Sequence, residues 1–142
     1  MNKTGGCMRR RYLFCLLAAM MISAPGLRAQ DGPGNLMEVA RAAICAEIVN
    51  RNPVNTGVRF PATVGRLYCF SRISNIEAAT RVQHVWYFSN TERARVDLAV
   101  NPPSWRTYSS KRIIPGEIGR WRIDILDSDG NVLKTLGFDI VP

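Results

Sequence analysis

One segment of the sequence indicates the fold most clearly: Arg120-Trp121-Arg122-Ile123-Asp124-Ile125-Leu126, then Asp127-Ser128-Asp129-Gly130-Asn131, then residues 132–141. Successive side chains of a β-strand point to opposite faces, so Trp121 and the two isoleucines share one face while the charged residues share the other. An Asp-Gly pair between apolar segments is a strong hairpin signal. We prefer it to a calcium loop, because the later ligand positions of an EF-hand and its terminal Glu are missing. The stretch therefore predicts two paired strands with one buried face.

The alternation extends towards the amino terminus and predicts further strands. Val96, Leu98 and Val100 lie on one face of their segment, opposite Arg95 and Asp97. Segments rich in β-branched or aromatic residues, separated by turn residues, are predicted as strands: a first strand beginning at Ala42, then 64–73, 81–89, 94–100 and 105–113.

About seven short strands without a long helical period predict an all-β fold, a single antiparallel β-sandwich of immunoglobulin-like size. We assign residues 42–142 to this sandwich and residues 30–41 to a flexible amino-terminal segment. Pro53, Asn55 and Gly57 predict a break after the first strand.

Residues 1–29 have the pattern of a signal peptide. Basic residues precede an apolar stretch from Tyr12 to Ile22, and Leu27-Arg28-Ala29 offers a small-residue cleavage site. Met8 is an alternative start to Met1, because a tighter charged region follows it. The apolar stretch is too short to cross a bilayer. We therefore expect cleavage after Ala29, no stable membrane span afterwards, and a periplasmic or secreted protein.

Removing this segment changes the charge balance. The chain has 19 Lys and Arg against 11 Asp and Glu, but five of the bases and none of the acids lie in residues 1–29, which leaves 14 against 11, or +3. This charge is ordinary for a small soluble domain, so the composition does not indicate nucleic-acid binding. The remaining 113 residues, 142 less 29, are enough for one domain with its own core.

Cys45 and Cys69 are the cysteines that remain after cleavage, in an oxidising compartment. We predict a disulfide between them, which would stabilise the domain by about 3 to 4 kcal/mol in the chain-entropy model. Two separately buried thiols are the alternative. One histidine and two cysteines without Cys-x-x-Cys spacing fall short of a zinc site, and no motif indicates a metal or a cofactor.

His84 lies on the apolar face of its strand with Val82, Trp86 and Phe88. We expect a core histidine that donates to a backbone carbonyl, since buried polar groups normally find partners; a ligand or catalytic role is the alternative. A general base would need a nucleophile or an oriented water, and the sequence shows no Ser/His/Asp or paired-carboxylate arrangement. The predicted structural core includes His84, Trp86, Trp105 and Trp121.

The segment from Trp105 to Lys111 indicates a surface. If Trp105 packs inward, Arg106, Tyr108 and Ser110 lie on the outer face, where they can hold a carbohydrate by stacking or an acidic partner by bidentate hydrogen bonds. Further basic residues follow in the same strand and in the strand expected beside it. The candidate binding residues are Arg106, Tyr108, Ser110, Lys111, Arg120 and Arg122. A basic face that only keeps the sheet soluble is the alternative.

Three segments, in this order and spacing, carry a resemblance to a known family: His84-Val85-Trp86, Trp105 to Lys111, and Gly119-Arg120-Trp121. A glycine turn and a final strand that contains Phe follow them. From about Ala42 to Val141 the chain resembles the bacterial family known as domain of unknown function 2914. The resemblance implies a small exported or membrane-associated β-rich domain and supplies no substrate, cofactor or catalytic residue.

These features predict a non-enzymatic extracytoplasmic domain that binds an envelope component or a protein partner, for example an envelope protein or a carbohydrate polymer. A structural subunit that joins a partner by its strand edge is one alternative, and an enzyme acting on cell-wall material is another. An enzyme should show a pocket where His84 meets an acid such as Glu77, Glu92 or Glu117. A carbohydrate-binding protein should show an exposed aromatic platform.

Overall fold

The computed structural model describes residues 36–142, and the predicted signal peptide of residues 1–29 lies outside the described residues. Nine strands follow one another: β1 Glu38–Val49, β2 Asn52–Thr56, β3 Arg59–Pro61, β4 Arg66–Ser74, β5 Thr80–Phe88, β6 Thr91–Val100, β7 Trp105–Arg112, β8 Gly119–Leu126 and β9 Val132–Val141. They form a four-stranded sheet in the order β2-β1-β4-β7 and a five-stranded sheet in the order β3-β9-β8-β5-β6. The predicted β-sandwich is confirmed.

The inner faces of the two sheets supply the hydrophobic core. Trp86, Trp121 and Phe138 are fully buried there. The rings of Trp121 and Phe138 stack with centroids 5.9 Å apart, and Trp86 meets Phe138 edge-on at 6.2 Å. Ile123 and Ile125 are buried beside Trp121, so the alternation predicted for this strand is confirmed.

The region around Pro53 differs from the prediction, because it contains β2 and β3 instead of a plain break. Proline lacks a backbone donor, but β2 is the edge strand of its sheet, where that donor is not needed. β3 is a short edge strand that pairs with β9 in parallel, so the predicted antiparallel pattern has one exception.

The sandwich also begins earlier than the predicted boundary at residue 42. Glu38 pairs with Ser74 and Val39 with Ile73 before a β-bulge, so the end of the predicted flexible segment is part of β1.

The β8–β9 hairpin is confirmed, and its turn is held by one carboxylate. Gly130 has φ +87 and donates its backbone N–H to the Asp127 carbonyl at 3.1 Å. The Asp127 carboxylate accepts from the backbone N–H of Asp129 and from both the backbone and the side-chain amide of Asn131, at 2.9 to 3.0 Å. This carboxylate serves the turn itself.

The predicted Cys45–Cys69 disulfide is wrong in this structure, where both thiols are free and buried. The register pairs Cys69 with Ile44, and it pairs Cys45 with Tyr68. Directly opposed residues share a face, whereas adjacent residues of one strand do not. Cys69 therefore joins the core, and Cys45 faces the other side of the sheet, where its thiol donates to the Tyr68 carbonyl at 3.8 Å.

Both thiols are therefore expected to be inert in the folded protein and reactive once it unfolds. Burial raises the pKa of both thiols, and at Cys45 hydrogen bonds with the backbone offset part of the rise. The thiolate is the reactive form. Iodoacetamide should label neither Cys45 nor Cys69 in the native protein. It should label both of them in the denatured protein without reductant, as read by mass spectrometry. Denatured protein that is labelled only after reduction would show that the disulfide forms.

Candidate functional site

The only histidine of the chain joins the two sheets through hydroxyl groups. His84 on β5 has its Nε2 3.0 Å from the Oγ of Ser71 on β4, and its Nδ1 2.8 Å from the Oγ of Ser109 on β7. Trp86, also on β5, donates its indole N–H to the same Ser109 hydroxyl at 3.1 Å. All four residues are buried. We call Ser71, His84, Trp86 and Ser109 the serine–histidine network.

This network is satisfied when the imidazole is neutral. A neutral ring has one donor and one acceptor nitrogen, and a hydroxyl can serve either of them. Burial lowers the pKa of His84 from 6.5 to about 4, because the charged ring loses its hydration. The prediction of a core histidine is confirmed by its burial, although its partners are two hydroxyl groups and not the backbone carbonyl that we expected.

Within residues 36–142, His84 has no acid as a hydrogen-bond partner. Its neighbours are hydroxyl groups, and the ring is fully buried. Glu117, one of the acids considered, lies 3.5 Å from Arg93 and accepts from the backbone N–H of Ile114 instead.

A second candidate site lies on the outer face of the four-stranded sheet. Arg41, Arg72 and Arg106 stand directly opposite one another across β1, β4 and β7. We call these three residues the arginine row. In the next register position, Phe70 lies beside Tyr108, and Tyr68 follows it along β4. Aromatic rings therefore lie next to the arginine row on this face.

The cations of the two sheets differ in how they are paired. All five ion pairs within residues 36–142 involve the five-stranded sheet or the loop before β8. Six arginines belong to the strands of the four-stranded sheet or to the β1–β2 turn, and within the same residues none of them has a carboxylate within ion-pair distance: Arg41, Arg51, Arg66, Arg72, Arg106 and Arg112. We call the outer surface of this sheet the basic face.

The aromatic part of the basic face is accessible. Tyr108 is 45% exposed, and its ring meets that of Tyr68 edge-on at a centroid distance of 6.1 Å. Beside this pair, Arg66 donates to the Ser110 hydroxyl at 2.8 Å. Phe70 is buried under the guanidinium of Arg41, which lies 5.8 Å from its ring centroid. Tyr108 is thus the exposed ring among charged and hydroxyl groups.

Residues 79–140 match the family described as Protein of unknown function (DUF2914). The predicted resemblance is confirmed over this segment, which begins just before β5 and leaves β1 to β4 outside the DUF2914 match. No curated protein matches the chain.

The three DUF2914 signature segments meet around the network and its neighbours. His84 and Trp86 share Ser109, which follows Trp105 and Arg106 on β7. Trp121 donates its indole N–H to the Glu117 carbonyl at 3.2 Å. Trp105 was predicted to be a core residue, and it packs against the core but stays partly exposed.

The predicted binding residues do not form one surface. Arg106, Tyr108 and Ser110 lie together on the basic face, but β8 is in the other sheet, so the expectation that Arg120 and Arg122 lie on a neighbouring strand is wrong. Arg120 pairs with Asp139 at 3.2 Å, and Arg122 pairs with Asp124 at 3.4 Å over the Tyr87 ring. Lys111 also lies away from the basic face. It follows Ser110 in β7, so its side chain points to the opposite side of the sheet, and its Nζ lies 5.9 Å from the Trp121 ring centroid.

Sequence reasoning missed the contribution of the β1–β2 turn to the basic face. Arg51 donates to the Arg106 carbonyl at 3.0 Å, and its guanidinium lies 5.2 Å from the Trp105 ring centroid. Arg106 donates in turn to the Asn52 side chain at 3.2 Å. The sequence offers only a turn without glycine at Asn50 and Arg51. This pattern does not indicate which strand the turn contacts.

Residues 36–142 lack two other kinds of site. They contain no helix long and apolar enough to cross a bilayer. In the same part of the chain, no group of three or more His, Cys, Asp or Glu side chains is placed to hold a metal ion.

Adjacent serines of β7 provide a test of the network. Ser109→Ala leaves the Trp86 indole N–H and the His84 Nδ1 without their partner, and each buried polar group left unpaired costs about 1 to 3 kcal/mol. The free energy of unfolding in urea should fall by about 2 to 4 kcal/mol. Ser110→Ala is the matched control, because its hydroxyl lies on the outer face, and it should change stability by less than about 0.5 kcal/mol. Equal effects of the two substitutions would contradict the network.

Proposed function

We propose that this protein is a non-enzymatic binding domain that acts outside the cytoplasm and binds an anionic envelope component, a protein or a carbohydrate polymer, through its basic face. The observation that carries the proposal is the set of six arginines on the four-stranded sheet and its β1–β2 turn that have no carboxylate within ion-pair distance in residues 36–142. Five of the six arginines on the strands of the other sheet are paired. The proposed location rests on the signal-like pattern of residues 1–29.

The energetics of the arginine row support a ligand. Like charges directly opposite each other on a sheet destabilise it by a modest amount, and Arg41, Arg72 and Arg106 form two such contacts. No carboxylate of residues 36–142 offsets them within ion-pair distance. An anion bound across the row would supply the missing countercharge. Guanidinium groups bind carboxylates and phosphates through paired hydrogen bonds.

Two further contacts favour this function over its alternatives. An enzyme that used His84 would need the ring to reach a substrate, and the ring is fully buried. A partner that added a strand to the edge at the beginning of β7 would need the Arg106 carbonyl, which already accepts from Arg51. The exposed Tyr108 beside the row provides the aromatic contact expected of a carbohydrate-binding protein.

Two double variants with the same net charge test the proposal. Arg72→Ala with Arg106→Ala removes two cations of the basic face, and Arg81→Ala with Arg95→Ala removes two paired cations of the other sheet. On immobilised heparin, a sulfated polysaccharide, the first variant should elute at clearly lower salt than the unchanged protein, because fewer contacts compete with salt. The second should elute almost with the unchanged protein.

Thermal melts of both variants check that each remains folded. If both elute at the same reduced salt concentration, net charge and not the basic face governs retention. If the unchanged protein is not retained at low salt, the proposal of an anion-binding face fails.

A further inference from the structure

A pocket of about 340 Å³ lies where the β1–β2 turn reaches the beginning of β7, and its lining residues are Asn50, Arg51, Ser104, Trp105 and Arg106. We call it the hairpin pocket. Its volume is within the range of small-molecule sites, which begins at roughly 300 Å³. Arg106 belongs both to this pocket and to the arginine row.

The turn holds Arg51 in place over the pocket. Val49 pairs with Asn52, so the turn has two residues, and both have positive φ, 49° for Asn50 and 60° for Arg51. This is the type I′ pattern that fits the twist of a hairpin. Asparagine accepts positive φ readily, whereas a long side chain such as arginine is uncommon there. The Arg51 guanidinium is then fixed by the Trp105 ring on one side and by the Arg106 carbonyl.

The lining combines charged and neutral hydrogen-bonding groups. A guanidinium has five N–H donors, and within residues 36–142 Arg51 and Arg106 each use only one side-chain hydrogen bond. Most of their donors therefore remain available to a ligand. Ser104 contributes a hydroxyl that accepts from Arg72 at 3.4 Å. In the described part of the chain, the side-chain amide of Asn50 makes no hydrogen bond.

We infer that the hairpin pocket binds one acidic sugar of an anionic polysaccharide, whose following units lie along the arginine row. The inference rests on the proposed function and identifies its ligand. The guanidiniums of Arg51 and Arg106, which both line the pocket, fit the carboxylate or phosphate of the sugar. The amide of Asn50, the hydroxyl of Ser104 and the indole edge fit its hydroxyl groups and ring.

The arrangement favours a polymer over a single small anion. Neighbouring strands lie about 4.8 Å apart, so the arginine row continues the charge of the pocket across three strands. Tyr108 and Tyr68 lie beside this path and can stack on uncharged ring faces. An acidic peptide would use the guanidiniums but would leave the neutral hydrogen-bonding groups and the tyrosines without a specific role.

Calorimetric titration of the protein distinguishes these ligands. Two probes represent the two sources of acid: an oligogalacturonate, which carries carboxylates, and a mannose 6-phosphate oligosaccharide, which carries phosphates. At least one should bind. A neutral oligosaccharide of equal length should not bind, and an oligoglutamate of equal charge should bind at least about tenfold more weakly, which corresponds to the loss of one good contact.

Single variants then locate the site. Arg51→Ala should weaken binding of the acidic oligosaccharide about tenfold. Arg51→Lys should also weaken it, because lysine keeps the charge and lacks the planar fork. Arg59→Ala is the matched control, since it removes one cation that has no ion pair within residues 36–142 from β3 of the other sheet, outside the basic face, and it should change affinity by less than about twofold.

Other results would contradict the proposed ligand, the proposed pocket or both. If the oligoglutamate binds as tightly as the sugars, the ligand is an acidic protein. If Arg51→Ala and Arg59→Ala have equal effects, the hairpin pocket is not the site. If neither acidic oligosaccharide binds while heparin retention still depends on Arg72 and Arg106, the sugar assignment fails and the basic face remains. If the unchanged protein is also not retained on heparin, both the sugar assignment and the anion-binding basic face are wrong.

Discussion

The hydrogen bonds of His84 are the constraint on which the rest of this structure depends. A buried imidazole must have partners, and its two nitrogens find them on two different strands of the opposite sheet. Ser71 and Ser109 are in the correct places only if β4 and β7 pair in the observed register, because a shift by one residue would turn every side chain to the other face. The network thus specifies how the two sheets face each other, in addition to the nonspecific burial of apolar side chains.

Four residues of the segments that carry the DUF2914 resemblance already have partners within the protein. His84, Trp86, Ser109 and Trp121 lie inside the sandwich and are occupied by one another or by the backbone. The unused chemical groups lie on the outside of the four-stranded sheet, and many of them precede the DUF2914 match at residues 79–140. Arg51 and Arg72 are examples. The family segment therefore supplies most of the five-stranded sheet, while the proposed site combines β7 with elements that come before the match.

Alternation within strands was predictable, and contact between strands was not. Trp121 and His84 could be assigned to the core because each faces the same side as its apolar neighbours. The pattern does not state which strands share a sheet, so β7 and β8 were wrongly placed together, and Arg120 was included in the binding face. The pairing of the two cysteines failed because it depends on register. Arg51 escaped notice because its role arises from a contact between a turn and a distant strand.

We conclude that His84 is a neutral structural bridge. Nuclear magnetic resonance of its ring can check this without ambiguity, since the chain has no other histidine. With a folded-state pKa of about 4 against the ordinary 6.5, the folded protein binds fewer protons than the unfolded chain between these values. The network's contribution is therefore complete above pH 6.5 and declines as the pH falls towards 4. The ring signals of the folded protein should stay at their neutral positions from pH 7 down to about 5, while those of the urea-denatured protein titrate near 6.5. A midpoint near 6.5 in the folded protein would show that burial does not hold the ring neutral.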